Sequence, residues 1–185
     1  DAAQALGSKF KNKHAGTFGI ASAISLYPAK ILGCLGDGGI ILTDDSQVYE
    51  KIILLRDHGR DSKSGEVISW GFNSRLDNIQ AAFLNYFFSK YEEVVSKRRY
   101  IASLYDEGLR EIDEILLPEP PNNGDHFDVF QNYEIQAKDR ENLIDFLSQK
   151  GIGTLIQWGG KAIHQFKGIG IEKNLPKTDR IFSEI

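Results

Sequence analysis

The feature that most constrains the fold is one long stretch of helical character. Residues 76–112, LDNIQAAFLNYFFSKYEEVVSKRRYIASLYDEGLREI, contain no proline, and Gly108 is their only glycine. Helices of globular domains average about 10–14 residues, so this stretch is too long for one ordinary helix. We therefore predict either a break within it or a helix that bridges two domains. Its first half is apolar on most sides, which predicts burial or a subunit interface.

The segments before this stretch alternate between strand and helix character. Residues 17–25 and 39–43 have the composition of strands. A helix should begin after Asp44 and Asp45, which are both good N-cap residues, and end at Gly59. The polar, glycine-containing segment 60–75 is predicted to be a loop.

The segments after the long stretch predict a second, smaller α/β lobe. We expect a strand at 127–137, a helix at 139–151 and a further strand at 152–158. Strand, helix and strand within so short a span are typical of an α/β unit. The chain as a whole therefore has an α/β pattern.

Composition and charge argue against several classes of function. With 41% hydrophobic and 26% charged residues, the 185-residue chain has the composition of an ordinary soluble globular protein. No apolar run approaches the roughly 20 residues that a membrane helix needs, and the N-terminal residues do not resemble a signal peptide. The net charge of −4, with basic residues spread among acidic ones, gives no reason to expect a nucleic-acid partner.

Cysteine, histidine and the chain ends add three further expectations. The single cysteine, Cys34, rules out an internal disulfide and fits a reducing compartment such as the cytoplasm. The histidines lie far apart without the spacing of metal ligands, so no metal site is predicted. The chain begins at Asp1 without methionine and stops within a helical stretch at Ile185, which predicts a fragment truncated at both ends.

Lys30 occupies an unusual position for a lysine. It follows Pro28 by two residues and lies between an apolar segment and a glycine-rich loop. A lysine that burial keeps neutral is a nucleophile toward aldehydes, so such an amine suits Schiff-base chemistry. On position alone, the more common interpretation is a solvent-facing lysine at the end of a strand.

Two further features are ambiguous when each is taken alone. Asp1, followed by small residues, could hold a cationic ring nitrogen, or it could be the N-cap of a helix. The loop GCLGDGG at 33–39 precedes a strand, so the order is wrong for a P-loop or a dinucleotide-binding fingerprint. We interpret it as a turn that lets the backbone pass close to a ligand or a neighbouring chain.

Taken together, the motifs of the chain are far more specific than any one of them. They occur in the order DAAQALG (1–7), SLYPAK (25–30), LGCLGDGGIILTDD (32–45), RDHG (56–59) and GFNSRLDNIQAA (71–82). With this series the chain resembles the pyridoxal-phosphate-dependent sugar aminotransferases of the DegT/DnrJ/EryC/StrS family. The resemblance spans nearly all of the chain, including RRYIASLYDEGL and NYEIQAKDRENLIDFLSQKGIGT.

This resemblance implies a role for each of five residues. Lys30 matches the lysine that carries pyridoxal 5'-phosphate covalently, and Asp1 matches the aspartate that pairs with the pyridinium nitrogen. Gln4 matches a glutamine near the phenolic oxygen of the cofactor, and Ser25 matches a serine that binds its phosphate. Asn73 matches an asparagine that reaches the phosphate from the neighbouring subunit, which implies a homodimer with a shared active site.

The resemblance also implies the fold and its division into domains. It predicts an α/β fold of the aspartate-aminotransferase type (fold type I), with a mixed sheet and a small α+β C-terminal lobe. Residues 1–95 would be the later part of the large pyridoxal-phosphate-binding domain, and residues 96–185 most of the small C-terminal domain. The half of the large domain that would precede Asp1 supplies further cofactor contacts in the family, so the fragment alone could be inactive.

The reaction that the resemblance implies is transamination of a nucleotide-linked keto-sugar. L-Glutamate would be the amino donor and would leave as 2-oxoglutarate, on a path to amino-sugars of polysaccharides or glycosylated metabolites. Lys30 would serve as the covalent anchor and then as a carrier of protons. One subset of the family has histidine in place of this lysine and performs dehydration, so Lys30 favours transamination.

The sequence departs from the family pattern in two places. Leu26 stands where an aromatic residue is common, which is a conservative change. Residues 157–160, QWGG, replace a tyrosine–proline segment, which favours the branch that aminates 3-keto-sugar nucleotides. Trp158 and His164 could contact the sugar nucleotide, or they could be a core indole and a packed histidine.

Two other functions remain open at this point. The first is a non-catalytic member of the same fold that binds pyridoxal phosphate and acts as a regulator or sensor. Lys30 does not separate this function from catalysis, because a sensor would also bind the cofactor covalently. The second is an α/β nucleotide-binding module unrelated to pyridoxal phosphate.

Overall fold

The computed structural model describes residues 1–121, 123–171 and 173–185. These residues form five α-helices, and the remaining helical turns are short 3₁₀ segments at 157–160, 163–165 and 167–169. The helices are α1 Ser46–Arg56, α2 Asn78–Phe88, α3 Tyr91–Leu109, α4 Arg140–Gln149 and α5 Pro176–Glu184. The strands are β1 Lys9–Phe10, β2 Lys13–His14, β3 Ala21–Ser25, β4 Gly39–Thr43, β5 Ile115–Leu116, β6 His126–Phe127 and β7 Gln136–Ala137.

The predicted break in the long helical stretch is confirmed, and it falls between α2 and α3. The Ser89 hydroxyl donates a hydrogen bond to the carbonyl of Tyr86 at 2.7 Å, and the Lys90 amide donates to the carbonyl of Phe87 at 2.9 Å. Both bonds span three residues, so the last turn of α2 tightens and its carbonyls are satisfied locally.

The predicted burial of α2 is wrong within this chain. Leu84 is its only fully buried residue, and its other large apolar side chains are exposed. The exposed fraction is 68% for Ile79 and 59% for Phe88. A subunit interface on this helix therefore stays a prediction.

The helix predicted after Asp45 is confirmed as α1. The Asp45 carboxylate accepts hydrogen bonds from the amides of Gln47 and Val48, at 2.8 and 3.0 Å. These amides are two of the donors that a helix start leaves unpaired, so the aspartate fixes where α1 begins.

The strand predicted at 127–137 is wrong over most of its length. Only its two ends are strands, in β6 and β7. Between them Phe130 adopts a left-handed conformation, with φ of 50°, and its amide donates to the Asp128 carboxylate at 3.0 Å. This local side-chain bond and the left-handed residue interrupt the extended backbone that a strand requires.

Three other sequence-based elements also differ from the structure. The strand predicted at 152–158 is absent, and Trp158 has a left-handed φ of 52°. Of the strand predicted at 17–25, only the last five residues are extended, in β3. Residues 2–8 form consecutive turns and not a helix, with hydrogen bonds from the amides of Ala5 and Ser8 to carbonyls three residues earlier.

The described residues form two compact units. The first comprises Asp1–Ser103 and Pro121–Gln131, and the second comprises Leu104–Pro120 and Asn132–Ile185. The division predicted at 95/96 gives two domains that are each continuous in sequence. In the structure the segment 121–131 belongs to the first unit, although it follows residues of the second. The core of the first unit consists of Leu26, Leu32, Cys34, Leu84, Tyr91, Val95 and Val129.

Two arginines of α3 hold the returning segment in the first unit. The Arg98 guanidinium donates to the carbonyls of Phe130 and Gln131, at 3.0 and 2.9 Å. The Arg99 guanidinium donates to the carbonyls of Asp128, at 2.6 Å, and of Pro121. Because these acceptors are backbone carbonyls in an irregular segment, the arginines supply hydrogen bonds that a sheet would otherwise provide.

The strands pair into small antiparallel sheets. β3 and β4 pair over five residues, from Ala21 with Thr43 to Ser25 with Gly39. A three-stranded sheet in the order β2–β1–β6 also belongs to the first unit, and β5 pairs with β7 in the second. All strand pairs among the residues that the structure describes are antiparallel. The parallel pairs that the predicted mixed sheet would also contain are not found there.

Within the ranges described, none of the helices is both long enough and apolar enough to cross a membrane.

Candidate active site

A small pocket in the first unit brings together three of the residues that the sequence singled out. Three separate parts of the chain form its wall, and they contribute one lysine, one serine and two glutamines. The lining residues are Ala3, Gln4, Leu6, Ser25, Lys30, Ile31, Leu32 and Gln131.

Lys30 lies at the end of a tight turn that follows β3. Its amide donates a hydrogen bond to the carbonyl of Tyr27 at 2.8 Å, which closes a four-residue turn with Pro28 in the second position. Proline is favoured there because its ring presets φ near −65°. The Ser25 hydroxyl accepts a hydrogen bond from the Tyr27 amide at 3.2 Å. Ser25 thus bonds to the first residue of the turn, and Lys30 is its last residue.

Gly33 lets the chain pass directly behind this turn. A Cβ atom at position 33 would lie 2.6 Å from the carbonyl oxygen of Pro28 and 2.9 Å from that of Tyr27. Both distances are shorter than van der Waals contact, and both atoms belong to the backbone, so a larger residue would displace the turn. The close approach at this position is to the chain's own backbone, so the expected approach of the glycine-rich loop to a ligand or a neighbouring chain stays a prediction.

The Gln131 side chain forms hydrogen bonds with the backbone on both sides of Lys30. Its side-chain amide donates a hydrogen bond to the carbonyl of Ala29 at 2.9 Å. Its side-chain oxygen accepts a hydrogen bond from the amide of Ile31, also at 2.9 Å. Sequence analysis missed this residue, because it lies about 100 positions from Lys30 and inside a segment with strand composition.

Asp1 and Gln4 lie at the start of the first unit, close to β3. The Asp1 carboxylate accepts a hydrogen bond from the Ala3 amide at 2.9 Å, and the Ala2 amide donates to the Ala23 carbonyl at 3.0 Å. Gln4 lines the pocket, whereas Asp1 is exposed and is not part of its wall. The structure therefore groups Gln4 with Ser25 and Lys30, and it leaves Asp1 beside this group.

Asn73 lies outside the pocket, at the end of the loop that follows α1. Its backbone forms an isolated antiparallel bridge with Asp57, the residue that caps the end of α1. The Asp57 carboxylate accepts a hydrogen bond from Arg60 at 2.9 Å, which lowers the pKa of that carboxyl. Asn73 is exposed and does not contribute to the pocket of its own chain.

Trp158 and His164 belong to the second unit. The Trp158 indole is 80% exposed, so the alternative of a core indole is wrong for this residue. The His164 side chain is buried, and its Nε2 lies 2.8 Å from the Asp179 carboxylate. A packed histidine with a carboxylate partner is what the structure shows at this position.

Two chemical properties of the described residues bear on the reactions available. Cys34 is 2% exposed, and burial raises the pKa of its thiol, which keeps it protonated and unreactive. In the described part of the chain, no three histidine, cysteine, aspartate or glutamate side chains group in a way that could hold a metal ion.

Comparison with known proteins places this site in a family. The model of the DegT/DnrJ/EryC1/StrS aminotransferase family matches residues 1–185. The chain belongs to this family. Members of it with solved structures share the fold across the whole chain, which confirms the prediction of an aspartate-aminotransferase-like α/β fold of type I.

Three similar proteins illustrate the relationship. The chain is 38% identical over 158 residues to a "Pleiotropic regulatory protein" of Geobacillus stearothermophilus, and the aligned residues make up 85% of the chain and 42% of the relative. It is 31% identical to a "dTDP-3-amino-3,4,6-trideoxy-alpha-D-glucose transaminase" of Micromonospora megalomicea subsp. nigra, and the aligned residues make up 100% of the chain and 51% of the relative. The crystal structure of a DegT DnrJ EryC1 StrS aminotransferase from Brucella abortus superposes with a TM-score of 0.89 at 33% identity, covering 100% of the chain and 49% of that structure.

The chain therefore spans about half the length of the relatives it matches.

Proposed function

We propose that this chain is part of a pyridoxal-phosphate-dependent aminotransferase that acts on a nucleotide-linked keto-sugar. The observation that carries the proposal is the pocket that unites Lys30, Ser25 and Gln4 in a chain of this aminotransferase family. The alternative of a solvent-facing lysine fits less well, because Lys30 is half-buried and lines a pocket with three other polar residues.

The side chains of this pocket fit pyridoxal phosphate in their chemistry. A primary amine suits the aldehyde of the cofactor, a hydroxyl suits its phosphate, and an amide suits its phenolic oxygen. In this proposal Lys30, Ser25 and Gln4 take these roles in that order. Leu6, Ile31 and Leu32 supply an apolar wall for the ring.

Lys30 has two tasks in the proposed reaction. When bound, pyridoxal phosphate supplies an aldehyde that exchanges amines and a ring that withdraws electrons from the carbon beside it. The Lys30 Nζ atom would anchor the cofactor, and once free it would carry a proton from the α-carbon of the amino donor to the cofactor carbon that holds the nitrogen. We assign Asp1 to the ring nitrogen, since its carboxylate lies beside the turn-forming segment that also carries Gln4.

The proposed substrate is a 3-keto-sugar nucleotide, and the proposed donor is L-glutamate. Support comes from the relative named for transamination of a dTDP-3-amino sugar, which aligns with 100% of the chain. The exposed Trp158 indole offers a flat apolar face of the kind that nucleobases and sugars stack on, and we assign it to the substrate. The enzyme is expected to work in the cytoplasm.

We further propose a homodimer in which Asn73 completes the partner's site. Asn73 does not reach the pocket of its own chain, and it follows a loop with large exposed apolar side chains. Trp70 is 96% exposed and Phe72 is 68% exposed, on a loop whose base is held by ion pairs of Asp57 with Arg60 and Arg75. Contiguous exposed apolar side chains of this size are typical of interaction surfaces.

A second candidate function is regulation without catalysis. The observation in its favour is the 38% identity to a protein named as a pleiotropic regulator. In this case the same pocket would bind the cofactor, and no amino group would be transferred to a sugar.

The test uses the full natural polypeptide that contains this chain, purified and supplied with pyridoxal phosphate. Borohydride treatment followed by peptide mapping detects a pyridoxyl group on Lys30. Incubation with L-glutamate and a panel of keto-sugar nucleotides, followed by mass spectrometry, detects an amino-sugar product. We expect both signals. Lys30→Arg retains the positive charge and should lower turnover by about 10²–10⁴-fold, the usual contribution of a positioned proton carrier.

The outcomes separate the candidate functions. A pyridoxyl group on Lys30 without transfer to any sugar of the panel would favour the regulator. Absence of the pyridoxyl group would overturn both functions and favour a nucleotide-binding module. A pyridoxyl group on another lysine would overturn the assignment of Lys30.

A further inference from the structure

We propose that Gln131 is a positioning residue that holds the Lys30 backbone in its active conformation. The proposal rests on the function proposed above, in which the Lys30 amine reacts. It concerns the residues on either side of that amine, which the family resemblance does not assign.

The geometry is a two-point contact across Lys30. The Gln131 amide nitrogen donates to the Ala29 carbonyl, and the Gln131 amide oxygen accepts from the Ile31 amide, both at 2.9 Å. Together with the bond from the Lys30 amide to the Tyr27 carbonyl, three hydrogen bonds restrain consecutive residues of the turn. Rotation of the backbone at Lys30 would break at least one of them.

The chemistry of this contact is specific to an uncharged amide. Asparagine and glutamine side chains carry a donor nitrogen and an acceptor oxygen on one planar carbon atom. An ionised carboxylate has the same shape but can only accept. Gln131 thus matches a carbonyl on one side of Lys30 and an N–H on the other. An apolar side chain of the same size would leave both backbone groups without this partner.

Gln131 is itself held firmly. Its backbone carbonyl accepts a hydrogen bond from Arg98 at 2.9 Å, and the same guanidinium donates to the Phe130 carbonyl at 3.0 Å. The Asp128 carboxylate accepts from the Phe130 amide, at 3.0 Å, and fixes the left-handed residue that precedes Gln131. The backbone of the clamp residue is therefore anchored to α3.

The consequence is expected in turnover and not in substrate affinity. Misplacing a reacting group by about 1 Å can cost on the order of 100-fold in rate, and the hydrogen bonds of the Gln131 side chain go to the backbone beside Lys30. Loss of the clamp should therefore lower kcat by about 10- to 100-fold and leave KM for the amino donor within about twofold.

The experiment compares Gln131→Met and Gln131→Glu with Gln80→Met. Methionine is similar in size to glutamine and lacks both hydrogen-bonding groups, whereas glutamate retains only the acceptor for the Ile31 amide. Gln80 is a matched control, since its side chain also accepts a hydrogen bond from a backbone amide, that of Leu35 at 2.8 Å, in the glycine-rich loop that follows the lysine turn.

The first readout is amide hydrogen exchange in the protein without cofactor. Exchange at Ile31 should be about five- to tenfold faster in Gln131→Met, because one hydrogen bond is lost, and near the parent rate in Gln131→Glu. Gln80→Met should accelerate exchange at Leu35 and leave Ile31 unchanged. Unchanged exchange at Ile31 in Gln131→Met would overturn the clamp itself, whatever the activity of the protein.

The second readout is steady-state transamination with the full natural polypeptide. Both Gln131 variants should lose turnover, and Gln80→Met should retain it. Faster exchange at Ile31 with parent-like kcat in Gln131→Met would overturn the positioning role. If the parent protein transfers no amino group, the proposed function fails. In that case the rate at which a small amine-reactive reagent labels Lys30 decides the positioning role, which fails if the rate is the same in Gln131→Met and the parent.

Discussion

At the scale of single residues, the backbone around Lys30 is determined by neighbours that have no reactive groups. Pro28 presets the turn that ends at the lysine, and Gly33 leaves room for the chain to pass behind it. Gln131 bonds to the residue on either side. Several independent contacts therefore fix the backbone at Lys30. A fixed backbone limits the positions that the flexible lysine side chain can reach.

Gly33→Ala should destabilise the protein, because the added methyl group meets backbone atoms that cannot move independently. We expect a loss of about 1–3 kcal/mol in the free energy of unfolding, the usual cost of overpacking. The matched control is Gly108→Ala in α3, where a Cβ meets nothing within 4 Å. That change should stabilise the protein by about 0.5–1 kcal/mol, because alanine replaces glycine within a helix.

Urea denaturation of both variants measures these effects. Equal stability of Gly33→Ala and the parent would mean that the turn before Lys30 adapts without cost. That result would contradict the rigid packing described here.

Much of the candidate site could be predicted from the sequence, because its central residues are close together along the chain. Ser25 and Lys30 belong to one motif, SLYPAK, and Gln4 belongs to the motif at the start of the chain. Gln131 could not be found in this way, since its role depends on a contact about 100 residues away. The position of Asp1 beside the pocket, and not in its wall, likewise depends on tertiary structure.

At the scale of the elements, α3 begins with a residue that ties it to the start of the chain. The Tyr91 hydroxyl donates a hydrogen bond to the carbonyl of Leu6, a pocket-lining residue. Tyr91 is 9% exposed and packs in the core of the first unit. The first turn of α3 thus supports the segment that carries Gln4.

This contact predicts a loss of stability in alkali. Burial, and then the negative charge of Glu92, raise the pKa of Tyr91 above the ordinary tyrosine value of about 10. Because the folded state holds this proton more tightly than the unfolded state, the stabilisation is complete below about pH 10. It is lost as the pH rises through the raised pKa of the folded protein.

Tyr91→Phe should therefore lower stability by about 1 kcal/mol at neutral pH, through loss of one hydrogen bond, and weaken the decline above pH 10. Tyr100→Phe on the same helix is the control, since Tyr100 is 64% exposed. Urea midpoints measured from pH 7 to pH 11 test both variants. A parallel alkaline decline in Tyr91→Phe and the parent would contradict the assignment to Tyr91.

The elements that could be predicted from sequence are those whose signals are local. Asp45 marks the start of α1 because its carboxylate bonds to amides two and three residues later. The segment 128–135 has the composition of a strand but pairs with no other strand, because Asp128 and the left-handed Phe130 turn the backbone locally. Arginines of α3 hold this segment through hydrogen bonds to its carbonyls. The strand propensity of a segment does not reveal which distant side chains bond to it.

At the scale of the whole molecule, the two compact units are interleaved along the sequence. The chain leaves the first unit after Ser103, returns to it at Pro121 and leaves again after Gln131. The returning segment supplies Val129 to the core of the first unit and Gln131 to its pocket. The integrity of the pocket therefore depends on a segment that is enclosed in sequence by the second unit.

Arg99→Ala should release this segment. Its guanidinium donates to two carbonyls of the segment and lies 4.0 Å from the centre of the Phe127 ring. We expect a loss of about 2–3 kcal/mol in the free energy of unfolding, since hydrogen bonds from a charged group are replaced by none. Hydrogen exchange of residues 123–131 should also become faster.

Lys97→Ala on the same helix provides the control. Lys97 makes only an exposed ion pair with Glu93, of the kind worth at most about 0.5 kcal/mol. Similar stability and exchange in both variants would show that Arg99 does not hold the segment.

The contact between Gln131 and the lysine turn has a consequence for how the protein matures on the ribosome. It joins positions 100 and 102 residues apart. Translation proceeds at roughly 5–20 residues per second, so about 5–20 s pass between synthesis of the lysine and synthesis of its clamp. During this interval the two hydrogen bonds from Gln131 to the lysine turn cannot form. The turn around Lys30 thus gains these two hydrogen bonds only after residue 131 has been synthesised.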